Sequence, residues 1–343
     1  MDASELMKYL FLLISFLTFT LVSYLGCEYL IYFSHKHSIL DEKTQRSSHS
    51  QPTPRIGGIS FSLLILLVLS LFFLFDGSAI SKNHFLALLL ATSIVALVSI
   101  VDDVRKGISR VVRLCAHLLA GALALLLAGL IPSNIYLLLM FAISLFAIAW
   151  FINLFNFMDG IDGIAASEAI FIICCCAGFS FFSDKTHWAL LQLMTLAPIL
   201  GFMVINWQPA KIFMGDIGST FLGTLIAISL LINIQLGVLN LWSAIILTST
   251  FLTDASWTLL VRLISGQQWH KPHRSHLYQI LSRKWSSHSR VCIWNLIVNV
   301  LWVLPMSIAA SLFPGYGQVF TIFALLPIPI LCIMHRSGQT TSN

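Results

Sequence analysis

The sequence predicts an all-α, polytopic membrane protein with about eleven transmembrane helices, its amino terminus outside and its carboxyl terminus in the cytoplasm. Composition is the first observation: 58% of the residues are hydrophobic, 10% are charged and the mean hydropathy is +0.90. Such a chain has too little polar surface to coat a soluble globule. The second observation is a series of long apolar stretches, and the third is the placement of positive charge between them.

Each helix is predicted where an apolar stretch reaches about 17 to 25 residues, the length that crosses the hydrocarbon core. In chain order the stretches are centred near Ser15, Leu66, Thr92, Leu123, Leu145, Ile173, Leu196, Ile228, Thr250, Val300 and Phe323. The first is interpreted as a retained helix, because Asp2 and Glu5 occupy the region where a cleaved signal peptide is basic. Residues 1–343 are therefore predicted to form one integral membrane domain.

The orientation follows from the lysines and arginines. All but Lys8, Lys82 and Lys185 lie in alternate loops, which is 16 of the 19. Because positively charged loops stay in the cytoplasm, these loops are assigned to the inner side, and the longest covers residues 265–290. The net charge of +5 suits contact with anionic membrane lipids and anionic substrates on that side. No pattern typical of a nucleic-acid-binding module occurs in the sequence, so nucleic acid is not expected as a partner.

Five aspartates stand near the cytoplasmic ends of the predicted helices: Asp102, Asp103, Asp159, Asp162 and Asp216. An ionisable group costs about 2.5 to 3.5 kcal/mol at the centre of a membrane helix, so acids near hydrocarbon need a functional or pairing reason. With the predicted topology, all five meet at one face of the membrane. They are predicted to form a site for magnesium and phosphate, because Mg²⁺ prefers carboxylate oxygens.

Two short motifs come first along the chain. In residues 53–58 a proline and two glycines favour a turn with close backbone approach, and Arg55 is a candidate phosphate ligand; helix packing is the alternative for the glycines. Asp102 and Asp103 are followed closely by the cation Lys106. Because adjacent side chains on a helix diverge, one carboxylate is expected to reach a metal while the other meets a different group. A solvated, charged helix end is the alternative.

The segment from 153 to 163 is the richest motif. It places four polar residues at three-residue intervals along a helix end or turn: Asn153, Asn156, Asp159 and Asp162. Their amides and carboxylates offer the donors and acceptors that bind a nucleobase, a ribose or Mg²⁺. A helix cap is the structural alternative for Asp162. Capping does not account for four polar residues in an apolar region, so a functional role is favoured.

The next loop carries Asn206 and the segment Gly215–Ser219. That segment resembles a phosphate-binding turn at a helix amino terminus, where free amides attract anions, and Asp216 is then placed to hold the cation opposite. A plain turn capped by the aspartate is the alternative.

The longest loop carries a histidine motif. Pro272 is tolerated in the first turn of a helix, so His273 and His276 are predicted to share a helix face, with Arg274 nearby, as donors to a diphosphate. A zinc site is not predicted, because no His-Glu-x-x-His pattern or cysteine partner is present.

Deeper in the membrane, Asp254 is open to two interpretations, a functional acid or a hydrogen-bonded structural acid.

These motifs, in this order over about residues 50–280, resemble the polyprenyl-phosphate N-acetylhexosamine-1-phosphate transferase family, membrane enzymes of the glycosyltransferase 4 type. The family includes the bacterial enzymes that begin murein, teichoic acid and O-antigen synthesis. The resemblance implies a multi-pass enzyme of the bacterial inner membrane with its active site on the cytoplasmic face. It also implies a UDP-sugar donor, undecaprenyl phosphate as acceptor and Mg²⁺ as cofactor, with Mn²⁺ as an alternative. The oligomeric state is left open, a homodimer included.

Taken with the motifs, the resemblance assigns the site residues. The catalytic set is Asp102, Asp103, Lys106, Asp159, His273, Arg274 and His276, and the metal ligands are Asp216 and Asp103. Substrate contacts are assigned to Arg55, Asn153, Asn156, Asp162 and Asn206. One departure is informative, because the murein-initiating branch has three successive histidines where this chain reads His273-Arg274-Ser275-His276. This favours the branch that starts surface polysaccharides, with N-acetylfucosamine or N-acetylquinovosamine as the expected donor sugar.

Three other functions are weighed against the transferase. A proton-coupled transporter is the leading alternative from another class, but transporter sites cluster near the bilayer midplane, whereas these acids cluster at one surface. A CDP-alcohol phosphatidyltransferase requires an Asp-Gly-x-x-Ala-Arg pattern that the sequence lacks. A noncatalytic lipid-binding scaffold has no use for so many magnesium-type ligands.

Overall fold

The computed structural model describes residues 3–37, 40–41, 53–75, 81–105, 107–268 and 273–339. The α-helices are α1 (Ala3–Lys36), α2 (Gly58–Phe75), α3 (Lys82–Arg105), α4 (Arg110–Leu127), α5 (Ile135–Phe157), α6 (Ile164–Phe182), α7 (Thr186–Asn206), α8 (Gly215–Gln235), α9 (Leu241–Leu247), α10 (Ser249–Ile264), α11 (Leu277–Trp285), α12 (His288–Val298), α13 (Leu304–Leu312), α14 (Gly317–Leu325) and α15 (Pro327–Met334). A π-helix at Asn299–Val303 joins α12 to α13, and a 3₁₀ turn at Pro314–Tyr316 precedes α14. Strands β1 (Leu40–Asp41) and β2 (Thr53–Pro54) pair antiparallel.

The helices confirm the predicted fold class. Within the described residues, ten helical runs are long and apolar enough to cross a membrane, and the bent pair α9–α10 raises the number to as many as eleven. Every predicted centre falls in one of these runs, with Thr250 in the bent pair. The bend of 74° occurs at Thr248, whose backbone leaves helical geometry between the two helices. Which side of the membrane each terminus faces stays a prediction.

The core lies around α8. The most hydrophobic window of α8 is 89% buried, against 72% for α7 and 67% for α6, so these three helices form the centre of the bundle. The corresponding window of α1 is 11% buried, which leaves most of that apolar helix facing outward, as expected for contact with lipid. The helix α8 packs against α2, α3, α5 and α6 and so brings the loops of all four to one end.

The glycines of the 53–58 motif serve helix packing. The amides of Gly57 and Gly58 donate to the carbonyls of Phe213 and Met214, at 2.9 and 3.0 Å. A β-carbon on Gly58 would collide with the backbone of Gly218 and with the Met214 carbonyl. The packing alternative is therefore correct for Gly58, since only a glycine lets α2 approach the start of α8 this closely.

Candidate active site

Two aspartates from different helices meet at the end of the bundle. Asp102 lies near the end of α3 and Asp216 in the first turn of α8. The Nη1 atom of Arg113, on α4, lies 2.6 Å from Asp216 Oδ2 and 3.2 Å from Asp102 Oδ2. One guanidinium nitrogen thus offsets the charge of both carboxylates. The side chains of Arg113 and Asp216 are 30% and 28% exposed, so these two side chains remain accessible to a ligand.

Asp103 points away from this pair, as expected for neighbouring residues on a helix. Its Oδ1 accepts from Arg55 Nη2 at 2.9 Å, its Oδ2 accepts from the Ile217 amide at 3.1 Å, and its side chain is 2% exposed. An anion here is favoured by the positive end of the α8 dipole. The Ile217 amide, part of the predicted phosphate-binding turn, therefore already has Asp103 as its acceptor. Arg55 is paired with the same carboxylate. These contacts favour a helix-anchoring role for Asp103 over the predicted metal-ligand role.

The asparagines at the end of α5 join the cluster. Asn156 Nδ2 donates to Asp216 Oδ1 at 3.2 Å and to Ser219 Oγ at 2.8 Å. One turn earlier, Asn153 Nδ2 lies 3.2 Å from Nδ1 of His117, a buried residue of α4. The two amides thus face α8 and α4, beside the carboxylate cluster.

Asp159 lies just beyond the end of α5 and is partly exposed. The pKa of the Asp159 carboxyl is raised to about 8, chiefly by burial of the carboxyl group and then by the nearby charges of Asp216 and Asp162. Because the charges of Asp216 and Asp162 disfavour a negative charge on Asp159, a cation bound beside these residues would favour the ionised form of Asp159.

Asp162 and Asn206 hold two loops together. Asp162 Oδ2 accepts from the Ala210 amide at 3.1 Å and lies 3.2 Å from His288 Nδ1. Asn206 is 3% exposed, and its amide accepts from Gly163 N at 3.0 Å and donates to Ile212 O at 2.9 Å. Because these polar atoms are used between loops 158–163 and 207–214, the geometry favours positioning roles over the predicted direct substrate contacts.

The histidines precede a helix and do not share a helix face, so that prediction is wrong. The helix α11 begins at Leu277, and His276 is its N-cap residue. The rings of His273 and His276 nevertheless stack, with centroids 4.8 Å apart. The start of α11 is set by Asp254 of α10, which accepts from the amides of Leu277 at 2.8 Å and Tyr278 at 3.0 Å. The structural interpretation of Asp254 is the one that these contacts support.

The helix α11 is also fixed to the aspartate loop. Tyr278 donates its hydroxyl proton to Phe157 O at 2.9 Å, and a β-carbon on Gly160 would collide with that hydroxyl. The segment 265–290, predicted as a loop, therefore contains a docked helix. The pKa of His273 is lowered to about 3, chiefly by burial and then by the charges of His276 and Arg262, against the opposing effect of Asp254. His273 is thus neutral at pH 7 and can serve as a hydrogen-bonding imidazole.

Lys106, predicted to be catalytic, lies outside the described residues, as do residues 269–272 of the histidine motif. Arg274 is partly exposed, and its carbonyl accepts from Arg283 Nη2 at 2.8 Å, which ties the motif to α11.

Sequence reasoning missed four residues of this region: Arg113, His117, Tyr278 and His288. Arg113 was counted only as an inner-loop charge. Its spacing of four residues from His117 is a usable signal, because two polar residues at i and i+4 share one face of the otherwise apolar α4. No comparable local pattern marks Tyr278 or His288.

The residues fit a magnesium site in which the substrate phosphates supply part of the ligands. No group of three or more His, Cys, Asp or Glu side chains arranged to hold a metal occurs in the part of the chain that the structure describes. Mg²⁺ usually binds through one or two carboxylates together with substrate phosphates and waters. Asp216 and Asp102 supply such oxygens, and they already share one cationic group, Arg113.

Comparison with known proteins places this site in a family. The profile of glycosyl transferase family 4 matches residues 85–234, which run from α3 to α8 and include the carboxylate cluster. The probable undecaprenyl-phosphate N-acetylglucosaminyl 1-phosphate transferase of Bacillus subtilis is 25% identical over 304 residues, covering 85% of this chain and 82% of the relative. The phospho-N-acetylmuramoyl-pentapeptide-transferase of Staphylococcus haemolyticus is 30% identical over 254 residues, covering 66% of this chain and 78% of the relative. The enzyme of the same name from Staphylococcus carnosus is 26% identical over 294 residues, covering 78% and 86%.

These relatives are therefore named for two different sugars, N-acetylglucosamine and N-acetylmuramoyl-pentapeptide. They agree in the transfer that their names describe, and the staphylococcal match extends over most of both chains. The chain belongs to the polyprenyl-phosphate N-acetylhexosamine-1-phosphate transferase family, as a multi-pass membrane enzyme that transfers a phosphosugar to polyprenyl phosphate.

Proposed function

We propose that this protein transfers an N-acetylhexosamine 1-phosphate from a UDP-sugar to undecaprenyl phosphate, releasing UMP, as the first step of a surface polysaccharide such as the O-antigen of lipopolysaccharide. The observation that carries the proposal is the pair Asp102 and Asp216, bridged by the partly exposed Arg113 beside Asn156. The Bacillus subtilis relative, named for undecaprenyl phosphate and N-acetylglucosamine, supports the acceptor and the class of sugar. The histidine motif supports N-acetylfucosamine or N-acetylquinovosamine as the specific sugar.

The reaction needs little covalent chemistry from the protein. An oxygen of the lipid phosphate attacks the sugar-bearing β-phosphorus, the bond from that phosphorus to the bridging oxygen breaks, and UMP leaves with the electron pair. No general base is required, since a phosphate monoester is largely ionised at pH 7. Mg²⁺ held by Asp216, or Mn²⁺ in its place, would supply Lewis-acid stabilisation of the diphosphate.

The protein's own residues position and stabilise the phosphates. Arg113 and Arg274 are assigned to bind developing phosphoryl charge, which is the main task of the protein in phosphoryl transfer. His273 contributes as a neutral hydrogen-bonding group because its pKa is lowered to about 3. Asn156 holds Asp216 by a hydrogen bond of 3.2 Å, so the carboxylate is oriented before substrate arrives.

The site is proposed to face the cytoplasm of the bacterial inner membrane, on the side that carries 16 of the 19 lysines and arginines. The bent pair α9–α10 is a feature that transporters share. The carboxylates, however, come together at the ends of helices, and the family match favours the transferase over the transporter alternative.

The test is UMP release by the purified, detergent-solubilised protein given undecaprenyl phosphate, Mg²⁺ and a panel of UDP-N-acetylhexosamines, with the lipid product identified by mass spectrometry. Release is expected to require both the lipid and Mg²⁺. Asp216→Asn should lose at least about 10²-fold in kcat with an unchanged melting temperature. Asp184→Asn, at an exposed turn between α6 and α7, is the matched control. Near-normal turnover by Asp216→Asn would contradict the proposed role of Asp216.

A further inference from the structure

One carboxyl group buried inside the helical bundle is not used by the transfer chemistry. Glu168 lies in the second turn of α6 and is completely buried. Its Oε1 atom is 2.9 Å from Thr250 Oγ1, and its Oε2 atom is 2.8 Å from Asn295 Nδ2 and 2.6 Å from Asn299 Nδ2. Thr250 Oγ1 also lies 3.2 Å from Asn299 Oδ1. Glu168, Thr250, Asn295 and Asn299 are called the Glu168 network below.

Counting protons decides the charge of Glu168. Thr250 has one hydroxyl proton, yet its oxygen contacts two acceptors, Glu168 Oε1 and Asn299 Oδ1. With an ionised Glu168, one of these oxygen–oxygen contacts has no proton. With a proton on Oε1, Glu168 donates to Thr250 and Thr250 donates to Asn299, so both contacts are hydrogen bonds.

Reversing the Asn299 amide leads to the same result. Its oxygen would then face Glu168 Oε2, and a proton on that atom makes an O–H···O bond of 2.6 Å, within the usual range for this type. The Asn299 nitrogen would donate to Thr250, and Thr250 to Glu168 Oε1. In both arrangements every short contact carries a proton only when Glu168 is neutral.

No cation offsets a charge on Glu168 within the described part of the chain, where the carboxyl group contacts a hydroxyl and two amides. The basic groups of α10 and α12 contact other residues or, like Arg290, are exposed. Asp254, on the same face of α10 as Thr250, is an acid and adds no positive charge. On α10, Asp254 caps α11 and Arg262 contacts Ser275. On α12, His288 and Cys292 contact Asp162. An ionised carboxylate without a cation is strongly disfavoured in such an interior.

The helices α6 and α8 contain no lysine, arginine or histidine. The one such residue of α7 is His187, in its first turn and at the opposite end of α6 from Glu168. Asp216 of α8 belongs to the carboxylate cluster with Arg113. The Cys175 thiol lies two turns further along α6 than Glu168 and supplies no positive charge.

The Glu168 network links both halves of the active site. The helix α6 starts directly after the Asp159 loop, and Thr250 lies one turn before Asp254 on the same face of α10. Asp254 in turn caps α11 below the histidines. Asn295 and Asn299 are one turn apart, where α12 passes into the π-helix. A cavity of about 20 Å³, room for one water, is lined by Thr250 and Asn295 of the Glu168 network and by Asp254 and Tyr278 at the start of α11.

From these contacts we infer that Glu168 is a neutral carboxylic acid at pH 7 that locks α6, α10 and α12 together, and that it acts as a positioning residue for the histidine helix α11. The catalytic consequence rests on the proposed function. The protonation state rests on the geometry of the Glu168 network alone.

Infrared spectroscopy tests the protonation state without any substrate. The difference spectrum between the wild-type protein and Glu168→Gln should contain the C=O stretch of a protonated carboxylic acid. Bands of an ionised carboxylate in that difference spectrum would overturn the inference.

Activity tests the positioning role. Because a glutamine amide can replace every hydrogen bond of a neutral glutamic acid here, Glu168→Gln should keep wild-type kcat. Glu168→Leu should lose about 10²-fold in kcat with smaller changes in KM, as expected when catalytic groups are displaced by about 1 Å. The matched control is Asn233→Leu, which removes a fully buried amide that bonds Ser180 and Trp188 near the far end of α8.

The outcomes separate the two proposals. Equal loss of activity in Glu168→Gln and Glu168→Leu would overturn the neutral-acid inference. Equal kcat in Glu168→Leu and Asn233→Leu, at matched melting temperatures, would overturn the positioning role. If the wild-type protein transfers no sugar phosphate, the proposed function fails, and the infrared result still decides the state of Glu168.

Discussion

At the scale of single residues, Arg113 sets the electrostatics of the carboxylate cluster. Asp102 and Asp216 come from helices that are far apart in sequence, and like charges this close repel unless a cation lies between them. The contacts of 3.2 and 2.6 Å from one Arg113 nitrogen supply that cation. The guanidinium is also exposed enough to meet a phosphate, so a single residue serves both the resting site and the proposed reaction.

The first prediction concerns this residue. Arg113→Ala should lower kcat by about 10²-fold or more, because a preorganised donor to the phosphoryl group is lost. The kcat of Arg113→Lys should lie between those of the wild-type protein and Arg113→Ala, since an ammonium lacks the planar fork of the guanidinium. The measurement is UMP release, and Arg110→Ala, exposed in the first turn of the same helix, is the control. Full activity in Arg113→Ala would show that the bridge is dispensable.

The second prediction concerns His273 and pH. Its pKa falls from 6.5 to about 3 in the folded protein, chiefly through burial. As the pH falls below 6.5, the unfolded chain binds a proton that the folded chain does not, so the free energy of unfolding decreases. The apparent melting temperature should therefore drop between pH 7 and pH 5.

His273→Gln should make this pH dependence shallower, because the substituted side chain binds no proton in this pH range. Parallel curves for the wild-type protein and His273→Gln would mean that His273 titrates normally.

At the scale of elements, α11 is held by other helices more than by its own sequence. It has nine residues, which is too short to be stable alone in water. Asp254 satisfies two of its first amides from α10, and Tyr278 ties it to the end of α5. The position of the histidines is thus a consequence of tertiary contacts.

The third prediction follows for Asp254. Asp254→Ala should destabilise the start of α11 by about 1 to 2 kcal/mol, the usual effect of losing a helix cap. Hydrogen exchange measured by mass spectrometry should become faster in residues 277–285 and kcat should fall. Thr258→Val, which removes only a 3.2 Å hydrogen bond to the same carboxylate, should have a smaller effect. Unchanged exchange in Asp254→Ala would contradict the capping role.

At the scale of the whole molecule, the buried core of α6, α7 and α8 brings the functional loops to one end of the bundle. Lys185, in the turn between α6 and α7, belongs to the opposite end from the Asp159 loop, because each lies at a different end of α6. Arg290 lies near the site, two residues after His288, which contacts Asp162.

The fourth prediction uses these two exposed positions to test the orientation. In intact cells that express the protein, a membrane-impermeant maleimide should label Lys185→Cys, and it should label Arg290→Cys only after the membrane is permeabilised. The unaltered protein, with its seven native cysteines, sets the background. The reverse pattern would place the site outside the cytoplasm.

Much of the fold was predictable because the bilayer imposes it. Hydrocarbon thickness sets the length of a spanning helix, so composition and apolar periodicity located all the predicted spans, including the bent one around Thr250. The meeting of the acidic loops was also predictable, since alternate loops of a helical bundle lie at the same end. The candidate site was therefore found at the level of its loops.

The sequence by itself determined the class, the positions of the apolar spans and the end of the bundle that carries the acids, because these depend on hydropathy and charge along the chain. Only the tertiary structure decided that Asp103 binds the start of α8, that Asp254 begins α11 and that Arg113 bridges Asp102 and Asp216. Each of these contacts joins residues from separate helices. Their partners are selected by how the helices pack, which no local pattern of residues specifies.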